Sequence, residues 1–257
     1  MAQDHAPLAP HGGKGSTRVT LAVALFRPVD EAHRSAALLQ AMGYRSVLAP
    51  VAQIVATGLS PSEGEFDAII ATSARAFAFL STEDRARLAS TPLFAVGEAT
   101  AASAKACGLA GKQTVAADAA SLAPMFVPRW PGGARLLYLT ARDRKGELEA
   151  AFAAAGFEVF AAEIYRAEAL AGWSDEEAQA VAQCAAALHY SRRSAALAVD
   201  FAARAGCAEQ FRALTHVCLS ADVAEPLRAV GAATIALARE PSETGLFVAL
   251  QAATKMA

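Results

Sequence analysis

The chain of 257 residues carries the same series of landmarks twice. Ser73 and Ser191 each follow a short apolar run and precede an alanine-rich stretch, and they lie 118 positions apart. Similar distances separate Arg18 from Arg135, Gly43 from Gly156 and Gly108 from Gly231. A period near half the chain length indicates a duplicated unit and not a solenoid of short repeats. We therefore predict two similar α/β domains with a cleft between them.

The stretch 67–79, DAIIATSARAFAF, shows what each repeat contains. Its apolar run, 68–71, is short and uninterrupted, as in a parallel strand buried on both faces. Thr72 and Ser73 follow where a helical pattern begins, and a helix start offers free N–H groups and the positive end of a dipole to an anion. The simpler alternative is that one hydroxyl only caps the helix. Since 186–197 repeats the arrangement around Ser191, the sequence favours an anion site in each half.

Short apolar runs alternate with helical patterns along the whole chain. We predict strands at 18–26, 44–55, 68–71, 93–96, 114–117, 135–140, 158–167, just before Ser191, and at 215–219 and 234–238. Alternation of this kind predicts parallel sheets. The clearest internal break is PRWPGG at 128–133, which marks the boundary between the two repeats.

Composition excludes several classes of protein. A net charge of −2 and a pI near 6.2 give no general attraction to nucleic acid or acidic lipid. No run approaches the roughly 18 apolar residues of a membrane helix, and residues 1–17 read as a disordered tail without a signal sequence, so we expect a cytoplasmic protein. The cysteines form no CxxC pair, which argues against zinc or redox motifs and favours buried thiols; they are Cys107, Cys184, Cys207 and Cys218.

Standard catalytic motifs are missing from the sequence. There is no Walker A loop, GxGxxG, HExxH or GxSxG, and the histidines read as ordinary satisfied side chains. The turn from Gly97 to Thr100 offers N–H groups and a hydroxyl to an anion, although a plain tight turn explains it nearly as well. Of the 23 basic residues 18 are arginine. Arginine pairs with carboxylates bidentately, which would suit an acidic ligand, but a codon bias explains the arginine content equally well. Catalysis would then depend on positioning and weak donors.

The order and spacing of these motifs from 18 to 250 resemble the uroporphyrinogen-III synthase family. The motifs are LFRP at 25–28, DAIIATSARA at 67–76, FAVGEATA at 94–101, LLYLTA at 136–141, EIYRAE at 163–168 and LHYSRRSA at 188–195. The resemblance implies two flavodoxin-like, doubly wound parallel-sheet domains joined by a two-strand linker. It further implies that 18–49 joins 168–257 in one domain, and that 50–167, linker strands included, forms the other.

The resemblance also implies an activity, namely closure of the linear tetrapyrrole hydroxymethylbilane to uroporphyrinogen III with D-ring inversion and loss of water, without a cofactor. The substrate carries eight carboxylates, which suits two helix N-terminal anion sites. We expect a monomer that binds no nucleic acid and no membrane. The candidate substrate-binding residues are Arg27, Thr72, Ser73, Ala74, Gly97, Thr100, Tyr190, Ser191, Arg192 and Ser220.

Tyr165 is the candidate catalytic residue, because a phenol can donate a hydrogen bond to the leaving hydroxyl and stay protonated at pH 7. Packing in a strand is its alternative role. The counterpart of GEATA reads SADVA, with Ser220 for glycine and Val223 for threonine, which places a role for that turn in doubt. Two other classes remain open: a non-catalytic two-domain binding or sensor protein for an acidic small molecule, and a glycosyltransferase, for which the chain is short.

Overall fold

The computed structural model describes residues 20–144 and 146–255. The predicted tail, 1–17, lies outside these residues. The chain divides into two compact units. The first unit joins the segment that ends at Ala49 to the segment that begins at Trp173, and the second unit is Pro50–Gly172. The chain therefore crosses between the units twice.

Strands and helices alternate in both units. The strands are β1 (Ala22–Leu25), β2 (Arg45–Leu48), β3 (Ala52–Ala56), β4 (Ala68–Ala71), β5 (Leu93–Val96), β6 (Gln113–Ala116), β7 (Arg135–Ala141), β8 (Glu158–Ala169), β9 (Ala186–His189), β10 (Thr215–Cys218) and β11 (Thr234–Leu237). The helices are α1 (Val29–Ala41), α2 (Arg75–Ala78), α3 (Thr82–Leu88), α4 (Glu98–Ala106), α5 (Leu122–Phe126), α6 (Glu147–Ala154), α7 (Asp175–Ala182), α8 (Arg192–Arg204), α9 (Ala208–Ala213), α10 (Ala221–Ala229) and α11 (Glu243–Lys255). In the part of the chain that the structure describes, no helix is long and apolar enough to cross a membrane.

The sheet of the first unit is parallel throughout, with the order β11-β10-β9-β1-β2. Every residue of β1 and β9 is buried, as expected for central strands covered on both faces. One face packs on α1 and α11 through a cluster that includes Val23, Leu25 and Leu246. Numbered by order along the chain within this unit, the strands lie 2-1-3-4-5, the flavodoxin-like order.

The sheet of the second unit has six strands in the order β3-β8-β7-β4-β5-β6. All its pairs are parallel except β3 with β8, which run antiparallel from Ala52 opposite Ala169 to Ala56 opposite Tyr165. The prediction of purely parallel sheets was therefore wrong at this edge. Because all of β3 pairs with the last part of β8, Tyr165–Ala169, the segments predicted as linker strands are part of the second sheet.

The repeats place equivalent strands at equivalent positions in the two sheets. In the order given above, β11, β10, β9, β1 and β2 correspond to β6, β5, β4, β7 and β8. In that order, the first three strands of each unit come from one repeat and the last two from the other. The sequence repeat is not the folding unit, because β1 pairs with β9 and β4 pairs with β7.

The domain boundaries differ from the prediction in two details. The segment 44–55 is not one strand: β2 ends at Leu48 and β3 begins at Ala52, with Pro50 between them, where a missing N–H interrupts a ladder. The return to the first unit falls at Trp173 and not at residue 168, because β8 continues to Ala169 in the second sheet. Trp173 stacks on Phe26 at 5.5 Å, and its Nε1 donates to the Ala49 carbonyl at 3.2 Å. The indole thereby joins the last residue before the first crossing to the first residue after the second.

Candidate functional site

The predicted residues of the first unit lie at one edge of its sheet. The strands β1, β9 and β10 are parallel neighbours, so their carboxyl ends meet at the same edge. Arg27 follows β1, the sequence Tyr190-Ser191 follows β9, and Ser220 follows β10. In open α/β sheets ligands bind outside this carboxyl edge.

Ser191 and Ser220 are both N-cap residues. Ser191 Oγ accepts from the Ser194 N–H at 3.1 Å, and Ser220 Oγ accepts from the Val223 N–H at 3.4 Å. These hydroxyls are therefore engaged in capping, which leaves the other N–H groups of the first helical turns for a ligand. Arg192 Nη1 pairs with Asp222 Oδ1 at 2.9 Å across the two helix starts, and both side chains are mostly exposed.

The turn at Ser220 differs in backbone shape from its counterpart at Gly97. Gly97 has φ +77°, a left-handed value that favours glycine, whereas Ser220 has the extended value −158°. Serine therefore needs no glycine-like conformation here, and it supplies a side-chain cap that Gly97 lacks. The departure from the family motif changes the turn without removing the helix start.

The second unit brings its predicted residues to the corresponding edge. Thr72, Ser73 and Ala74 follow β4, Gly97 follows the neighbouring β5, and the two strands are parallel. Ser103 Oγ on α4 donates to the Ala74 carbonyl at 3.1 Å, which holds the two turns together.

Two expectations for this edge need correction. The helix after Ser73, α2, has only four residues, because Ser81 caps a new helix by accepting from the Asp84 N–H at 3.0 Å. A helix this short adds little dipole. The side chain of Thr100 is also not presented to solvent: the residue is 5% exposed, like Val223 at the equivalent position of α10. Thr100 therefore presents no accessible hydroxyl at its turn, and Val223 has no hydroxyl.

Tyr138 is a residue of this edge that the sequence argument did not select. It lies on β7 beside β4, it is 5% exposed, and its Oη lies 3.1 Å from Thr72 Oγ1. The phenol thereby fixes the orientation of one candidate hydroxyl. Its place in LLYLTA was visible in the sequence, but the contact with Thr72, 66 positions away, was not.

Arg27, a predicted substrate-binding residue, is ion-paired with two carboxylates in this structure. Its Nε pairs with Glu31 Oε2 at 2.9 Å and its Nη1 with Glu243 Oε1 at 2.7 Å. Tyr190 Oη donates to the same Glu243 oxygen at 2.9 Å. Burial, followed by the Glu243 carboxylate, raises the pKa of Tyr190 to about 12, so this phenol stays protonated at neutral pH.

The second repeat carries the same arrangement around Arg144, 117 positions after Arg27. Arg144 Nε pairs with Glu149 Oε1 at 2.6 Å and its Nη1 with Glu163 Oε1 at 2.8 Å. Hydrogen bonding from Arg144 lowers the pKa of Glu163. Each repeat therefore places one arginine after its first strand, and each arginine pairs with two glutamates, although Glu243, a partner of Arg27, lies in the second repeat.

Tyr165 lies in β8 with its ring in the hydrophobic core of the second unit. It is 7% exposed and stacks on Phe79 with ring centroids 5.8 Å apart. Among the described residues, none accepts or donates a hydrogen bond at its hydroxyl. The packing role is thus real for the ring, and the hydroxyl is left available for an external partner.

The prediction that the histidines are ordinary satisfied side chains was wrong for His189, one member of a buried pair. His189 and His216 are buried, with His189 Nε2 3.0 Å from His216 Nδ1, and His216 Nε2 bonded to the Phe211 carbonyl at 2.9 Å. His216 must donate to that carbonyl, so its Nδ1 accepts from His189, and His189 Nδ1 is left buried without a partner. Burial lowers the pKa of both rings, that of His216 to about 4.

Three of the four cysteines are buried thiols, as predicted. Cys184, Cys207 and Cys218 are buried thiols, and burial raises the pKa of each, while Cys107 is partly exposed. Within 20–144 and 146–255 no cluster of His, Cys, Asp and Glu is placed to hold a metal ion.

A model of the family described as Uroporphyrinogen-III synthase HemD matches residues 33–248. The uroporphyrinogen-III synthetase structure from Helicobacter pylori aligns with a TM-score of 0.59 at 15% identity, over 93% of this chain and 100% of that chain. A mutant uroporphyrinogen III synthase from Thermus thermophilus aligns over the same shares at 16% identity with a TM-score of 0.46. No curated protein sequence matches the chain at a significant level. Because the family match covers most of the sequence, the chain belongs to the uroporphyrinogen-III synthase family, the cyclising lyases of heme biosynthesis.

Proposed function

We propose that the chain closes hydroxymethylbilane to uroporphyrinogen III, and that each unit offers donors for substrate carboxylates at the carboxyl edge of its own sheet. The observation that carries this proposal is the repeated placement of polar turns and helix starts at those edges, around Ser73 and Gly97 in one unit and around Ser191 and Ser220 in the other. Eight substrate carboxylates need several separate donors, and backbone N–H groups supply them without adding net charge.

The chemistry asks little of the protein beyond positioning. The hydroxymethyl C–O bond breaks, the hydroxyl leaves as water with a proton from a donor, and the pyrroles supply the electrons that form an azafulvene. A spiro intermediate then rearranges with inversion of the D ring. Because the substrate supplies this driving force, we infer that no cofactor and no strong base take part; the enzyme holds one folded shape of a reactive molecule.

We assign the donor for the leaving hydroxyl to Tyr165. Its ring is held by Phe79, and its hydroxyl has no partner among the described residues. A neutral phenol is a suitable donor for a hydroxyl that leaves as water. We also propose a cytoplasmic monomer, as fits a biosynthetic enzyme that acts on a small tetrapyrrole.

The test is to incubate the purified protein with freshly generated hydroxymethylbilane and to separate the product isomers after oxidation. We expect isomer III to form faster than isomer I appears in a matched reaction with heat-denatured protein. Isomer I alone at the uncatalysed rate would contradict the assignment. Saturable binding of the substrate without isomer III would instead indicate a binding or sensor protein.

A further inference from the structure

Three donors of the first unit converge on one oxygen of Glu243. Its Oε1 accepts from Arg27 Nη1 at 2.7 Å, from Ser35 Oγ at 2.6 Å and from Tyr190 Oη at 2.9 Å. The Arg27 guanidinium also lies 4.0 Å from the centre of the Tyr190 ring. A guanidinium, a hydroxyl and a phenol directed at one carboxylate oxygen form the donor set of a carboxylate-binding site.

The donors of this site are held from inside the unit, while their acceptor lies toward solvent. Ser35 is fully buried, the side chain of Arg27 is 21% exposed, and that of Glu243 is 34% exposed. Glu243 is also the first residue of α11, where the positive end of the helix stabilises a carboxylate that has lost its other partners. Moving the Glu243 side chain away from the three donors therefore costs less free energy than moving the donors away from Glu243.

The charges around Arg27 make this displacement relevant to the substrate. The guanidinium is paired with both Glu31 and Glu243, so the three charged groups sum to one negative charge at the carboxyl edge. As long as Glu243 stays in place, the arginine gives no net attraction to a molecule with eight carboxylates.

On the basis of the proposed function, we propose that Glu243 holds the place of a substrate carboxylate. In the free protein it occupies the donors of Arg27, Ser35 and Tyr190, and a carboxylate of the linear tetrapyrrole takes that place on binding. The group thus lowers the affinity for substrate, and its removal strengthens binding without touching the chemical step.

The first test is the variant Glu243→Gln, measured by steady-state kinetics with hydroxymethylbilane. The amide oxygen still accepts from the same donors, so the fold is kept, but its loss of charge weakens the internal contact. We expect KM to fall about tenfold, with kcat unchanged, as for the weakening of one charge-assisted hydrogen bond. Asp200→Asn removes one charge from the exposed Asp200–Arg204 pair on α8 and should leave KM unchanged.

Tyr190→Phe, made with and without Glu243→Gln, separates this role from simple charge repulsion. If a substrate carboxylate takes the site, Tyr190→Phe should raise KM about fivefold in the Glu243→Gln protein, the loss of one hydrogen bond. With Glu243 present, Tyr190→Phe should change KM less. The phenol then stabilises both the internal contact with Glu243 and the contact with the substrate carboxylate, so its loss affects both states. If repulsion alone acts, Tyr190→Phe leaves KM unchanged in both backgrounds, which overturns the proposal.

Two further outcomes are decisive. An unchanged KM in Glu243→Gln, with a lower melting temperature, would show that the contact only stabilises the unit and would overturn the proposal while the synthase activity stands. Absence of isomer III from the wild-type reaction would remove the proposed function itself, and this result is read before any variant is made.

Discussion

At the scale of single residues, the candidate site is built from weak donors whose partners are mostly internal. Ser191 and Ser220 cap helices, Thr72 contacts Tyr138, and Arg27 is held by two glutamates. A substrate must therefore either use N–H and hydroxyl groups that have no internal partner or displace an internal partner, as proposed for Glu243. Tyr165 stands out in this respect, since its ring is fixed by the core while its hydroxyl is not bonded within the described residues.

Tyr165→Phe should lower the turnover rate about 100-fold, the typical contribution of one positioned proton donor. The change removes one oxygen and keeps the stacking on Phe79, so the melting temperature and the ratio of isomer III to isomer I should stay as in the wild type. Tyr44→Phe is the matched control, because Tyr44 Oη is bonded to Thr254 Oγ1 at 2.8 Å on another part of the first unit. Wild-type turnover in Tyr165→Phe would return this tyrosine to a packing role.

The pair His189 and His216 should make the protein unstable in acid. Burial lowers the pKa of both rings in the folded state, so between about pH 4, the pKa of folded His216, and pH 6.5 the unfolded chain binds more protons than the folded one. The contribution of this pair to the free energy of unfolding is therefore fully present above about pH 6.5, and it decreases as the pH falls from 6.5 towards 4. Urea unfolding midpoints, measured from pH 4.5 to 7.5 in steps of about half a pH unit, give the change of unfolding free energy with pH.

Two variants assign the slope to the pair. His189→Phe places a ring of similar size beside Phe26 and Phe211 and should remove part of the pH dependence. His33→Gln changes an exposed histidine on α1 and should keep all of it. Equal slopes in the three proteins would mean that other groups cause the acid sensitivity.

At the scale of elements, the starts of α8 and α10 are the features best suited to hold carboxylates. Both helices are longer than α2, both follow neighbouring parallel strands, and both have a serine cap that leaves first-turn N–H groups unpaired within the helix. The side-chain hydroxyls are secondary here. Ser191→Ala and Ser73→Ala should each cost about 1 kcal/mol or less of substrate binding.

Arg192→Pro tests the backbone donors directly. Arg192 is the first residue of α8, a position where proline is tolerated, so the helix should persist while one N–H is deleted. We expect KM to rise about tenfold, since hydrogen bonds to charged groups contribute roughly 1.5–3 kcal/mol. Ala74→Pro, where φ is already −57°, should act in the same way in the second unit.

Two controls accompany Arg192→Pro. Arg192→Ala loses the pair with Asp222 but keeps the N–H, and Asp175→Pro deletes the equivalent donor of α7, which Ser174 caps. Identical KM values for Arg192→Pro and Arg192→Ala would show that the N–H group binds nothing.

At the scale of the whole molecule, two sequence repeats are exchanged between two folding units. The second unit, Pro50–Gly172, is continuous in sequence, whereas the first is made of two segments. A fragment cut at unit boundaries keeps all its strand pairs, and a fragment cut at the repeat boundary separates β1 from β9 and β4 from β7.

We therefore expect the fragment 50–172 to unfold cooperatively in urea when followed by circular dichroism, and the fragment 1–130 to lack a cooperative transition. The first retains a complete six-stranded sheet, while the second exposes an unpaired edge on two central strands. A stable 1–130 fragment would mean that β1 can pair with β4, which is equivalent to its native partner β9. The sequences of the strands would then not determine which repeat supplies the partner of β1.

The sequence by itself determined what each segment becomes. Short apolar runs predicted the buried strands, Gly97 marked the one candidate turn with a positive φ, and the repeat predicted equivalent strands in two sheets. These features depend on backbone sterics and on side-chain burial, and both are set by residues that are close together in the sequence. Tertiary structure alone decided which equivalent strand pairs with which, because β4 and β9 offer β1 the same kind of buried apolar edge. It also decided that Arg27 meets Glu243, 216 positions away: a charge shows in the sequence, but the partner that neutralises it depends on where the chain returns.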